Sequence, residues 1–365
     1  MDERIEKLSK TIVGYSIKVK ENDRVLIQYE DSKCNPLVKK LIDDICEVGA
    51  IPIPRLYDEE LECRIREKVS DAFIDELVKS KQYDVDNFDC FIRICYNKNE
   101  YESKNIDLDR RKKMGNAIKE IDDIRINKRR WTLLNYPSEL DAYKAGMTTE
   151  EFYNYSMDVM NVNYKDMYES IKPLKELYEK TDKVHITGPG TDLTFSIKGL
   201  PAIPCCGTAN IPDGELYTAP VKNSVNGIIT YNTKSPYRGK VFNNVSLEFK
   251  DGKIIKATCD GDEEALNDIF NTDEGARYVG EFSMGFNPMI KEPIGDILFD
   301  EKIMGSLHFT PGTCYDDCDN GNKSSVHWDL VLIQREDHGG GEIYFDDVLI
   351  RKDGKFVLDE LKHLN

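Results

Sequence analysis

The sequence changes texture near residue 181, and that change limits the folds open to it. Before it, short apolar runs alternate with helical periodicity. DRVLIQYE (23–30), IPIPRLY (51–57), CFIRICY (90–96) and WTLLNYP (131–137) read as strands. Between them the spacing predicts helices. Ile5, Leu8, Ile12 and Tyr15 fall on one helical face, and NPLVKKLIDDICEVGA places Pro36 in a first turn and Gly49 just past the last. Thr148 and Glu151 fit a capping box that opens a helical stretch running to about 181. Strands separated by helices imply βαβ units and a mostly parallel sheet. No G-x-G-x-x-G follows the first strand, so the chain lacks a dinucleotide fingerprint.

After residue 182 the segments become short, with Gly, Pro and Asn between them. VHITGPGTDLTFSIKG has two strand-like arms around a turn, and VSLEFKDGKIIKATC and VLIRKDGKFVLDE carry Asp-Gly between alternating arms, which predicts hairpins. GIITYN, HWDLVLI and GEIYFDD add further strands. The expected architecture is an α/β N-terminal domain with a mostly parallel sheet and helices, residues 1–181. A β-rich α+β C-terminal domain, residues 182–365, follows and carries the candidate site.

Composition narrows the function. The net charge of −17 argues against nucleic acid and anionic membranes, which want a basic footprint, and favours cations. The N-terminus lacks an apolar signal core and no stretch approaches ~20 apolar residues, so a cytoplasmic protein that does not span a membrane is expected. Ten scattered cysteines form no C-x-x-C, and they read as reduced, non-catalytic thiols, Cys314 and Cys318 included.

The chemistry concentrates in the second half. His327 and Asp329 stand two apart in an apolar run, so on a strand they project together while Trp328 faces away. His308 lies in the similar segment SLHFT, and Tyr315 follows in a loop. NIPDGELYTAP delivers Glu215 into a segment of low charge, VGEFSMGFNP isolates Glu281, and Asp300 and Glu301 precede His308. Taken singly, an H-x-D pair is more often a satisfied polar pair, and each Glu a surface carboxylate. Together, three Glu, two His and one Asp suffice for two metal ions sharing a bridging carboxylate. Structural zinc sites are usually thiolate-rich, so this oxygen-rich set favours catalysis over a metal-structured binding module. A phosphoesterase or deacylase would use the same ligands, although a phosphatase would bring Arg or Lys beside them.

These blocks resemble the thermophilic-type metallo-aminopeptidases, the aminopeptidase T and aminopeptidase S family, over nearly the whole chain. EKLSKTIVGYSIKVKENDRVLIQYE and WTLLNYPSE resemble the family's opening and mid-chain segments. TDLTFSIKG, NIPDGE, GEFSMGFNP, GSLHFTPG and HWD resemble its signature blocks in order. The resemblance implies a homodimeric, metal-dependent peptidase that removes N-terminal residues from peptides. It implies two divalent metal ions per chain (Zn, Co, Mn or Mg) on Glu215, Glu281, Glu301, His308, His327 and Asp329. Glu281 bridges, and Asp300 is the fallback for Glu301. Glu215, Glu281 and Tyr315 are the implied catalytic residues, with Glu215 or Glu281 moving the proton and Tyr315 donating to the oxyanion.

Overall fold

A computed structural model describes residues 2–237 and 239–365. They divide into two compact units: one runs to Asn161 and includes Gly207–Pro212, and the other comprises Val162–Cys206 and Asp213 onward.

The first unit is built on a five-stranded sheet whose pairs are all parallel. Its order is Ile51–Leu56, Arg24–Tyr29, Cys90–Cys95, Arg130–Asn135, Asn210–Ile211. The four predicted strands are the first four of these. Helices Glu3–Thr11, Asn35–Glu47, Asp71–Asn87, Leu108–Lys128 and Thr149–Met160 connect or flank them. Pro36 occupies the first turn of Asn35–Glu47, where no intrahelical N–H is needed. Thr148 and Glu151 form the capping box in both directions. Ile5, Leu8, Ile12, Leu37, Leu41, Val25, Ile27, Ile92 and Leu134 pack into one core.

The second unit holds two antiparallel sheets. The larger has nine strands, and its hairpin turns are those the sequence announces. Asp251 and Gly252 turn at φ 49° and 86°, and Asp353 and Gly354 at 49° and 76°, as Asp-Gly turns do between twisted strands. The smaller sheet runs Val331–Ile333, Ser306–Pro311, Val279–Gly285, Glu215–Thr218, Ile203–Cys205. Phe282 and Phe309 of this sheet meet Phe195 of the larger, each with ring centroids 5.0 Å from it. These rings form the centre of a core between the sheets.

The division falls earlier than the 181/182 boundary expected from sequence. Helix Tyr164–Lys180 belongs with the second unit because Ile171, Leu174 and Tyr178 enter its core, where Tyr178 lies against Phe282 and Phe345. Residues 207–212 return to the first unit because Asn210–Ile211 adds an edge strand to its sheet. Among the described residues no helix is long and apolar enough to cross a membrane.

Candidate metal centre

The smaller sheet has faces of opposite chemistry, which follows from side-chain alternation along its strands. Leu216, Phe282, Met284, Leu307 and Phe309 join the core. Glu215, Glu281, Ser283, His308 and Thr310 project from the other face. Register aligns them: Ser283 lies opposite both Tyr217 and His308, and Glu281 opposite Thr310. This second face is also covered, for every residue of Val279–Gly285 and Ser306–Pro311 is buried.

Two glycines shape the centre. The ladder slips between Val279 and Glu281, a bulge at Gly280. A Cβ on Gly280 would stand 2.2 Å from the Thr313 carbonyl oxygen, so glycine admits the loop that carries Tyr315. Gly312, at φ 113°, forms a bridge with His327, and a Cβ there would lie 2.0 Å from the Val326 carbonyl oxygen. His327 and Asp329 therefore lie in an extended segment anchored by one bridge, and the ladder begins only at Val331. The alternation expected of a strand still holds there. His327 Nε2 is 3.4 Å from Asp329 Oδ1, and Trp328 packs away from them on Tyr237, Phe242 and Phe270.

Six of the seven sequence-derived candidates converge as three overlapping groups of ligand atoms: Glu215–Glu281–His308, Glu281–His327–Asp329 and Glu301–His308–Asp329. The atoms of each group lie within 4.8 Å of one another. Glu281 presents Oε1 to His308 Nε2 at 3.1 Å and Oε2 to His327 Nε2 at 3.5 Å. His308 Nε2 is also 3.2 Å from Glu215 Oε2. His327 Nδ1 is 2.9 Å from the Thr313 carbonyl oxygen, which fixes a proton on Nδ1 and makes Nε2, facing the acids, the nitrogen that a metal would take in exchange for its proton. Thr310 donates to Asp329 Oδ1 at 2.7 Å, and Ser283 to Glu215 Oε2 at 2.9 Å. Tyr315, the seventh candidate, is exposed at the margin with its ring 4.9 Å from that of His327.

Asp300 is spent elsewhere. It accepts from the Ile294 and Gly295 amides at 2.7 and 2.9 Å, which holds its own loop. Asp300→Ala is expected to lower stability by about 1–3 kcal/mol through the two orphaned amides and to leave metal content unchanged. Glu301→Ala is expected to do the reverse. Thermal melts and elemental analysis of the two variants check this contrast.

A basic residue near these ligands in sequence proves to be part of the centre. Lys302 is fully buried. Its Nζ lies 2.5 Å from Glu215 Oε1, contacts Glu301 Oε1, and is 3.9 Å from Asp213 Oδ1. Lysine is rarely buried unpaired, and nothing in DEKIMG distinguishes this one from a surface residue. Of the thiols nearby, Cys318 Sγ accepts from the Ala219 amide at 3.1 Å, Cys314 Sγ pairs with Asp319, and Cys205 lies within 4.8 Å of Asp213 and Glu215 ligand atoms. All ten cysteines are free.

The electrostatics are those of a cation site. Glu215, Glu281 and Glu301 are buried and Asp329 is half-buried beside them, with Lys302 the one ammonium at the centre among the described residues, and uncompensated buried charge of this kind is very costly. Protons fill the deficit without metal. Burial pushes Glu301 up to about 8 and raises Glu281. Burial opposes the charged imidazoles, but Glu215 and Glu281 raise His308 to about 9, and Asp329 and Glu281 raise His327 to about 10. Glu215 and Asp329 stay below the usual carboxylate range despite burial, held down chiefly by Lys302 and His327 respectively. Carboxylates and imidazole nitrogens at these separations fit divalent metals of the zinc, cobalt or manganese kind.

The family model for the thermophilic metalloproteases (M29) matches residues 1–356. The chain belongs to this family. Aminopeptidase AmpS of Bacillus subtilis is 28% identical over 178 residues, 43% of each chain. Aminopeptidase T of Thermus aquaticus is 28% identical over 185 residues, 42% of this chain and 43% of that one. These alignments span less than half the length of the curated relatives. The structure of wild-type AmpT from Thermus thermophilus superposes with a TM-score of 0.81 at 18% identity and covers 98% of this chain and 99% of that one. The M29 fold therefore extends over nearly the whole chain, with its parallel sheet followed by antiparallel ones.

Proposed function

We propose that this M29 protein is an aminopeptidase that removes N-terminal residues from peptides with the aid of two divalent metal ions. The observation that carries the reading is Glu281, whose two carboxylate oxygens face two different imidazoles, each with further acids. Glu215 and His308 would hold one ion, His327 and Asp329 the other, with Glu281 shared and Glu301 beside both. When bound, such ions lower the pKa of a shared water and polarise the scissile carbonyl.

The protein's own groups divide the remaining work. Glu215 is committed on both oxygens, to Lys302 and to Ser283 and His308. Glu281, shared between the two positions through both oxygens, is a poor base, so the proton from water to leaving amine falls to Glu215 or to a further acid of the centre such as Glu301. Tyr315, whose ring lies tilted beside that of His327, donates to the developing oxyanion. A phosphoesterase would need a free cation for phosphate oxygens, and Lys302 is enclosed and already paired.

Hydrolysis of leucine p-nitroanilide beside its N-acetylated form tests the proposal. Release from the free amine alone, lost on chelation and restored by Co or Zn, is the expected result. Turnover of the acetylated form, or activity that survives metal removal, overturns it.

A further inference from the structure

We propose that Lys302 makes the two cation positions unequal. The position bounded by Glu281, His327 and Asp329 takes a divalent metal tightly, and the one bounded by Glu215, Glu281 and His308 takes it weakly and fills last. The inference rests on the two-ion reading above and goes beyond it.

Lys302 is a resident monovalent cation. Its ammonium takes Oε1 of Glu215 at 2.5 Å and contacts Oε1 of Glu301, with the carboxylate of Asp213 at 3.9 Å. Glu215 thus meets an incoming ion with part of its charge already neutralised and one oxygen occupied. Its other oxygen is shared by Ser283 and His308. The far end differs. Glu281 and Asp329 meet only His308, His327 and Thr310 among their described polar contacts. Among the described residues neither forms an ion pair with a Lys or Arg. The Glu215 end, where Lys302 sits, is buried, so solvent and salt screen its repulsion little there, whereas His327 and Asp329 at the far end are only half-buried.

Lys302 is not needed to pre-orient Glu215 for binding. Ser283 and His308 already orient that carboxylate, so the added ammonium contributes mainly repulsion. Enclosure also removes Lys302 from any role in reading substrate.

Titration of the chelated full-length protein with Mn(II), followed by calorimetry and by electron paramagnetic resonance, tests the inequality. The wild type is expected to load in two steps separated roughly tenfold or more in Kd. The first equivalent should give an isolated six-line manganese signal, and the second an exchange-coupled one. Lys302→Met should tighten the second step by roughly tenfold or more and leave the first within about threefold. A structural role alone would weaken both steps. Two equal steps in the wild type, or a variant that leaves their separation unchanged or weakens both, overturns the proposal while leaving the two-ion centre standing. Absence of any metal binding overturns both. If Lys302→Met does not fold, Asp329→Asn decides: loss of the tight step supports the assignment, and loss of the weak step reverses it.

Discussion

Glu281→Gln is expected to reduce kcat by roughly 10³-fold or more while the protein keeps its far-ultraviolet circular dichroism. Gln has the shape of Glu and preserves the bulged strand. It removes the one charge that both imidazoles face, at 3.1 and 3.5 Å. The variant should also lose metal affinity at both positions, because Glu281 belongs to both ligand groups. Glu292→Gln is the matching control. Glu292 forms a similar acid–acid–imidazole group with Asp337 and His338, but that group is exposed, so its replacement should leave kcat and metal content intact. The test is a kcat measurement with metal counted per chain. Full turnover by Glu281→Gln would remove this residue from the chemistry and with it the shared-ligand arrangement.

The second large effect is on the stability of the metal-free protein, which should fall steeply as pH rises from 6.5 to 9. The sign follows from each group. His308 and His327 have folded values of about 9 and about 10, against 6.5 for the free side chain. Their stabilisation is complete below 6.5 and lost as pH climbs through the folded values. Glu301 and Asp300, raised by burial to about 8 and about 7, act in the same direction, because ionising them inside the protein is costly. Glu215 and Asp329 are lowered and oppose only at acid pH, where their contribution is lost. Each proton retained in the folded state is worth ~1.4 kcal/mol per pH unit. The two imidazoles alone therefore imply a loss of roughly 3 kcal/mol or more over this window, or a fall in Tm on the order of 10 °C. Bound metal replaces those protons, so the loaded protein should show a much flatter profile. Melting curves at pH 6.5, 8 and 9, with and without chelator, check this. A chelated protein that melts at the same temperature throughout would mean that the cluster is not charged as its geometry requires.

Parts of this centre could be read from residue order alone because their logic is local. The alternation of strands is such a case. It places Glu281 and Ser283 opposite Phe282 and Met284, and His308 and Thr310 opposite Leu307 and Phe309, wherever the strands lie in the fold. Asp-Gly fixes the hairpins at 251–252 and 353–354 for the same reason, since only certain residues tolerate positive φ. An acid isolated among apolar residues, as Glu281 is, declares its own cost of burial and so its need for a partner.

Other parts depend on what distant segments bring. Asp300 and Glu301 are neighbours of equal promise on paper. The turn that gives Asp300 two backbone amides leaves Glu301 to face His308 and Asp329. Lys302 becomes part of the centre only because Glu215, 87 residues earlier, is folded against it. The extension of the first unit's sheet by Asn210–Ile211 similarly requires a segment to leave one unit and return to the other. The sequence alone determined the two sheet types, their hairpins and the inventory of candidate ligands, because these depend on side-chain period and turn chemistry within a few residues. Only the tertiary structure decided which acids share a centre, which of them is claimed by an ammonium and where the units divide, because charge and packing act through distance in space.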